Sequence, residues 1–361
     1  MMFYVKERIS RSLCWSQCKI DSMNTSHSNI LIVFGGESSE HDVSLRSAQT
    51  VADALASTSH QLSFCYIDTD GRWWLADAAM IPDEHHELVP LLGQGAFLVK
   101  NTAEIIRPTV VFPVLHGKHG EDGTVQGLLE LLHLPYVGPR VESAAVTMDK
   151  DLTKRLLVAA HIPVVPWVAV RRDDTPRFEE LVAQLGPTLF VKPSRAGSSV
   201  GVSKVRTKTQ LQQALQIAFQ HDDVVLVEAA VDARELEIAV LGDHDARVSG
   251  VGEILPGEEF YSYDDKYAND SASAVAIPAQ ISPETRHQLQ AYALKVHRLV
   301  GGTGMNRVDF FLDRNSGRTY LNEINSIPGF TSISMYPQLW RAAGVDTTEL
   351  VEQLIQLALS A

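Results

Sequence analysis

The chain has 361 residues, 45% of them hydrophobic and 21% charged, enough for two or three domains around a sizeable core. Its formal net charge is −13, from 44 acidic against 31 basic residues, which argues against a nucleic-acid partner, since that needs a basic stripe. No apolar run approaches the ~18 residues of a membrane span, and Cys14, Cys18 and Cys65 suit neither a disulfide framework nor a zinc site, so they read as reduced thiols of a cytoplasmic protein.

Residues 1–28 lack the apolar core of a signal peptide and are predicted to be a poorly ordered extension, with Met23 a candidate start. The periodic pattern begins at Asn29. ILIVFGG (30–36) is a continuous apolar run ending in paired glycines, which reads as a buried strand feeding a tight turn. Glu40 and Asp42 follow, and then Leu45, Ala48, Val51 and Leu55 recur at helical spacing. LSFCYID (62–68) and PTVVFPVLHG (108–117) read as further strands. This alternation predicts an open, mostly parallel α/β sheet, with Gly35, Gly36, Glu40, His116 and Gly117 beyond the carboxyl ends of its strands, where ligands gather.

Asp149 is predicted to cap a helix, KDLTKRLLVAAH, with Leu152, Leu156 and Ala159 facing inward. TLFVKP (188–193) is a strand that runs into SRAGSSVG (194–201), a loop too rich in glycine and serine to be core. A helix at 208–220 and a strand at 224–231 complete a small α+β unit. Beyond 232 short strands dominate: LEIAVLG, ARVSGVGEI, RVDFFLD and TYLNEIN. A polar loop at 258–273 and a helix at 283–300 interrupt them, and an amphipathic helix occupies 345–360. The reading is of three domains, 29–149, 150–231 and 232–361, with no internal repeat.

The most informative stretch is RVDFFLDRNSGRTYLNEINSIPG (307–329). Two antiparallel strands joined by an NSG turn bring Asp309, Glu323 and Asn325 to one face, because strand side chains alternate with period two. These residues offer only hard oxygen donors, which suit Mg²⁺ and not zinc. Arg307 shares that face, either as an ion-pair partner or as a stabiliser of an oxyanion. Lys150 opens the central unit, and Lys192 ends a strand just before the glycine–serine loop. That arrangement can cradle phosphate. Neither a G-x-x-x-x-G-K-[ST] nor a strand-linked G-x-G-x-x-G motif is present, which excludes a P-loop and a dinucleotide fingerprint.

These residues fall within seven ordered motifs: GGESSEHDVSLRSA (35–48), LHGKHGEDGTVQG (115–127), TMDK (147–150), VKPSRAGSSVGVSKV (191–205), FYSYDDKY (260–267), GMNRVDFFLD (304–313) and LNEINSIPGFTSISMYP (321–337). Together they make the chain resemble the D-alanine–D-alanine ligase family of ATP-grasp enzymes, from about residue 30 to 358. The resemblance implies an α/β and α+β, three-domain ATP-grasp fold with an N-terminal open parallel α/β domain. It implies ATP-dependent formation of a dipeptide for peptidoglycan through a D-alanyl phosphate. Two Mg²⁺ ions, with manganese as a substitute, and a homodimer are implied too.

Carried over by position, Lys150, Lys192 and Ser199 hold ATP phosphates. Glu228 and Glu235 hold the adenine amine and ribose hydroxyls, and Phe311 lines the base pocket. Asp309, Glu323 and Asn325 bind the metal ions. Glu40 takes the ammonium of the first D-alanine, and Ser198 and Tyr267 link to Glu40 to close the site. Arg307 and the Gly329 N–H stabilise the oxyanion. Ser334, the Met335 backbone and Lys266 receive the second carboxylate. Taken singly, Glu40 also reads as a helix-dipole partner, Tyr267 as a loop aromatic and His116 as a structural hydrogen-bonder near the reacting centre. Lys118, His119, His85 and His86 are assigned to solvent, and Glu121 with Asp122 reads as a helix cap. Three rivals remain: a D-alanine–D-lactate ligase, whose family generally departs from the FYSYDDKY pattern, another ATP-grasp carboxylate–amine ligase, and a catalytically dead nucleotide-binding protein.

Overall fold

The computed structural model describes residues 28–77, 80–255 and 274–361. The expectations for the N-terminal extension, for Cys14 and Cys18, and for the loop carrying Lys266 and Tyr267 lie outside them. The first layer comprises β1 (Asn29–Gly35), α1 (His41–Leu55), β2 (Gln61–Ile67), β3 (Trp73–Ala76), β4 (Pro82–Leu91), β5 (Ala96–Val99), β6 (Ile105–Ile106) and β7 (Val110–Pro113). They form a seven-stranded sheet in the order β6-β5-β4-β3-β2-β1-β7. β1 is buried on both faces, as its continuous apolar run requires. Ile30, Ile32 and Phe34 pack with Val51 and Leu55 of α1, and Leu31 and Val33 turn to the other side. Cys65 is a buried thiol.

The sheet is mixed, which corrects the mostly parallel expectation. β1 runs parallel to β2 and β7, whereas β3 to β6 form an antiparallel meander on β2. The connections between β2 and β6 are too short for the crossover that parallel neighbours need.

Next come α2 (Thr124–Leu132), α3 (Val141–Met148), α4 (Lys150–Ala159), β8 (Trp167–Arg171), α5 (Phe178–Leu185), β9 (Leu189–Pro193), β10 (Ser203–Val205), α6 (Lys208–Ala218) and β11 (Val224–Ala229). The four strands pair antiparallel in the order β10-β9-β11-β8, and α5 and α6 bury Leu181, Leu185, Leu211 and Ala214 against them. Asp149 caps α4 as expected, accepting from the Leu152 N–H. The inward face of α4 was misread. Leu152 is 42% exposed and Ala159 is exposed, while Thr153, Lys154 and Leu157 are buried. A lysine defines that face, and an apolar pattern cannot register it.

The remaining elements are β12 (Ala233–Leu241), β13 (Arg247–Leu255), β14 (Ala274–Ala276), α7 (Pro283–Leu299), β15 (Met305–Asp313), β16 (Thr319–Asn325), α8 (Met335–Ala342) and α9 (Thr347–Ser360). Their antiparallel sheet runs β14-β13-β12-β15-β16, with α7 packed on it through Leu289, Ala293 and Val296. α9 returns to the first layer: Leu350, Leu354 and Ile355 share a core with Val51 and Leu55, and His60 Nε2 lies 3.0 Å from Glu352 Oε1. No helix among the described residues is long and apolar enough to cross a membrane.

Because Leu354 is 1% exposed within that core, Leu354→Ala is expected to destabilise the fold by about 2–5 kcal/mol. Urea unfolding checks this, and an unchanged midpoint would show that α9 adds little to the first layer.

Candidate active site

The carboxyl-terminal sheet supplies the most concentrated charge. Arg307 pairs across β15 and β16 with Asn325, and Asp309 with Glu323. On its other side Asp309 stands opposite Glu237 of β12. Three acidic side chains across neighbouring strands repel one another unless a cation lies among them. Arg307 is that cation. Its Nε lies 2.8 Å from Glu237 Oε2, and its Nε and Nη2 donate to Asp309 Oδ1 and Oδ2 at 2.8 and 2.7 Å. Asn325 Nδ2 adds a 2.9 Å bond to Asp309 Oδ2. Burial works against the guanidinium charge, but Asp309 and Glu237 outweigh it and hold Arg307 well above the ordinary arginine range.

The glycine–serine loop reaches this strip from one side and the first layer from the other. Lys150 Nζ donates to the Ala196 carbonyl at 2.7 Å and lies 3.6 Å from Glu323 Oε2. Glu40 stands at the start of α1 yet gives that helix no side-chain cap, and its carboxylate accepts instead from Ser198 Oγ. A Cβ on Gly197 would lie 2.7 Å from Glu40 Oε2, and one on Gly117, whose φ is +70°, 2.9 Å, so a larger residue at either position would push the carboxylate aside. Ser198 and Ser199 hold left-handed backbone, with φ of 48° and 59°, a strain typical of functional loops held by their contacts.

His116 is buried behind Glu40. Burial keeps its pKa below the ordinary imidazole value, with Glu40 pulling the other way. Its Nδ1 lies 3.1 Å from the Ile327 carbonyl, and its Nε2 lies 3.2 Å from Ser47 Oγ, which accepts from the Phe330 N–H at 3.1 Å. A neutral ring that donates from Nδ1 and accepts at Nε2 satisfies the whole chain. These bonds fit the structural reading of His116, which ties α1 to the loop after β16.

Glu121 does not cap a helix as expected. Asp122 makes the turn contact, accepting from the Thr124 N–H at 3.0 Å. Glu121 turns inward and accepts from the N–H groups of Gly117 at 2.8 Å and Ile327 at 3.1 Å, clamping the two loops together. Of the solvent assignments, Lys118 is exposed, whereas His119 Nδ1 lies 3.0 Å from Glu37 Oε1.

On the central sheet, Lys192 Nζ lies 2.9 Å from Glu228 Oε2, and the opposite oxygen lies 2.9 Å from Lys154 Nζ. Burial would raise the Glu228 pKa, but Lys192 and Lys154 outweigh it and lower it. Glu235 pairs in register with Phe311.

Two cavities meet across these residues. The first is walled by Glu40, His116, Arg307, Asp309, Asn325, Gly329, Ser334 and Met335, the second by Lys192, Ser199 and Glu228. Lys150, Ser198, Glu235, Phe311 and Glu323 line both. Residues expected to handle amino acid and metal thus gather in one cavity, those expected to hold nucleotide in the other, and five stand at the junction. Ser334 precedes α8 without capping it, and its hydroxyl lies 2.7 Å from Thr331 Oγ1. Among the described residues no three His, Cys, Asp or Glu side chains form a metal-holding cluster, so the donor set on offer is two carboxylates and a carboxamide.

Family models for the D-ala D-ala ligase N-terminus and C-terminus match residues 29–139 and 156–356. The chain belongs to the D-alanine–D-alanine ligase family. A D-alanine–D-alanine ligase A of Salmonella typhimurium is 41% identical over 353 residues, covering 91% of this chain and 94% of that relative. The solved D-alanine–D-alanine ligase of Coxiella burnetii superposes with a TM-score of 0.83 at 36% identity, covering 93% of this chain and 94% of its own. The VanG D-Ala:D-Ser ligase of Enterococcus faecalis gives the same TM-score and identity, covering 92% and 99%. An ATP-dependent ligase with small-molecule substrates follows from membership.

Glu237 and Lys154 went unread in the sequence, and Glu121 was read only as a cap, because their partners are backbone groups or residues far along the chain. The spacing of the DGT turn hinted at a cap and gave no sign of the cavity. Burial and Glu40 push the Glu121 pKa up to about 8 from 4.5, against the Gly117 and Ile327 N–H groups and Arg307. The folded state therefore holds a proton that the unfolded state releases, and stability falls as pH rises through this window. Glu121→Gln is expected to remove a slope of up to about 1.4 kcal/mol per pH unit. Urea midpoints taken between about pH 5 and pH 8 check this, and a slope that survives in the variant contradicts it.

Proposed function

We propose that this chain joins two D-alanine molecules at the expense of ATP, as a D-alanine–D-alanine ligase supplying the dipeptide of peptidoglycan precursors. The observation that carries the reading is that Lys150 and Glu323 line both cavities; in the proposal a terminal phosphate from one side meets an amino-acid carboxylate from the other there.

In the proposed reaction a carboxylate oxygen of the first D-alanine attacks the γ-phosphorus. The β–γ bond breaks, ADP leaves, and a D-alanyl phosphate remains. The amine of the second D-alanine, as free base, attacks the carbonyl carbon, inorganic phosphate departs with the carbon–oxygen bond electrons, and the surplus proton on nitrogen passes to that phosphate. Glu40 orients the ammonium of the first substrate, and its bond to Ser198 brings the glycine–serine loop over the intermediate, keeping out water that would hydrolyse it. Arg307 and the Gly329 N–H receive the charge that develops on the carbonyl oxygen. Lys150 and Lys192, with Ser199, hold the phosphates, while Glu228, Glu235 and Phe311 face the nucleoside. The Ser334 hydroxyl and the Met335 N–H at the amino end of α8 suit the second carboxylate.

Asp309, Glu323 and Asn325 are all oxygen-bearing and stand on adjacent strands, a donor set that fits a hard divalent cation. Two Mg²⁺ ions, replaceable by Mn²⁺, would neutralise the phosphate oxygens there. Lys266 and Tyr267 join the proposal as a contact to the second carboxylate and as a partner for Glu40 and Ser198. Domains at 29–149, 150–231 and 232–361, a homodimer, a cytoplasmic location and no nucleic-acid partner complete it.

With ATP, Mg²⁺ and D-alanine, purified protein is expected to release ADP and phosphate and form a compound with the mass of D-alanyl-D-alanine. Offered D-alanine, D-serine and D-lactate near neutral pH, it is expected to prefer D-alanine as acceptor, and preferred serine or lactate products would overturn the specificity. Glu323→Gln is expected to cut kcat by about 100-fold or more while circular dichroism stays native, since it removes one oxygen donor and one charge. Near-normal turnover in that variant would rule out the role given to Glu323.

A further inference from the structure

Lys154 is only 1% exposed and lines neither cavity. A buried lysine is costly unless its charge is answered. Its Nζ lies 2.9 Å from Glu228 Oε1, donates to the Val165 carbonyl at 3.1 Å and sits 5.4 Å above the Trp167 ring. Trp167 is itself fixed by a 2.8 Å bond from its Nε1 to Asp151 Oδ1, on the same helix as Lys154. Glu228 faces the second cavity, and its other oxygen lies 2.9 Å from Lys192 Nζ. One carboxylate is thus shared by two lysines, one behind the wall and one in the cavity.

The charge count gives this arrangement a purpose. With Lys192 alone, a buried Glu228 would cancel the cation that should meet phosphate. Burial lowers the Lys154 pKa from the ordinary lysine value while Glu228 pulls it up; with Lys154 as an ammonium the trio carries one net positive charge, and only Lys192 can present it to the cavity. We propose that Lys154 is a positioning residue for nucleotide binding, which engages one oxygen of Glu228 so that the other aims Lys192 at the nucleotide with its charge undiminished. This rests on reading the second cavity as the ATP site. Lys154 acts through Glu228 and touches no substrate.

Calorimetric titration with the β,γ-imido analogue of ATP and Mg²⁺ tests the idea. Lys154→Met is expected to raise Kd about tenfold or more, while the KM for D-alanine stays within about twofold, a split that general loosening of the fold would not produce. The second comparison sets Lys154→Met/Glu228→Gln against Glu228→Gln. Once Glu228 has lost its charge, removing Lys154 is expected to leave Kd within about twofold. A folded Lys154→Met protein with wild-type Kd overturns the proposal. So does a further tenfold loss in the double variant, which also decides the matter should the single variant fail to fold. Wild-type protein that binds no analogue would instead refute the assignment of the second cavity.

Discussion

Among the described residues, the wall of the first cavity carries six carboxyl groups, from Glu40, Glu121, Glu235, Glu237, Asp309 and Glu323, against two cations, Lys150 and Arg307. In a cleft partly shielded from water such a surplus is costly, and much of the local structure serves to manage it. Arg307 is divided between Glu237 and Asp309. Burial and Glu40 push the Glu121 pKa up to about 8 and so reduce its charge, against the two backbone N–H groups it accepts from. Glu40 takes a hydroxyl from across the molecule. In the proposed reaction the demand for positive charge that remains is met by an amino-acid ammonium at one end and by divalent cations at the other.

The three sheets matter because each brings a different part of that balance. β1 and α1 deliver Glu40 at the carboxyl end of a parallel strand, where open α/β sheets bind ligands. β9 and β11 deliver Lys192 and Glu228, and β12, β15 and β16 deliver the acidic strip with Arg307. α9 packs back onto α1, so the last and first elements of the described fold share one core. Relative placement of the sheets is therefore set partly by apolar burial away from the cavities. Polar loops at the junction are left free to take strained conformations such as those of Ser198 and Ser199.

Much of this was legible in the sequence. The period-two spacing of Arg307 and Asp309, and of Glu323 and Asn325, was enough to put them on one face, and the register bears that out. The apolar run 30–36 and the cap at Asp149 were equally plain. What failed had physical causes. The meander β3 to β6 was passed over because β3, β5 and β6 are short and the longer β4 lacks a strong period, and the sheet was therefore taken as mostly parallel. The buried face of α4 was misjudged because Lys154 reads as a surface residue until Glu228, distant in sequence, is seen beside it. Glu121 was lost in the same way, since its partners are main-chain N–H groups that no side-chain pattern reveals.

The account stands on the claim that the junction at Lys150 and Glu323 brings a phosphoryl group onto an amino-acid carboxylate. The most direct measurement follows the oxygen. D-alanine labelled with heavy oxygen in its carboxylate is incubated with ATP, Mg²⁺ and the protein, and the released phosphate is analysed by mass. Transfer of a labelled oxygen into phosphate, in step with dipeptide formed, is the predicted result. Phosphate free of label would mean that water or another nucleophile takes the phosphoryl group, and the claim would fall.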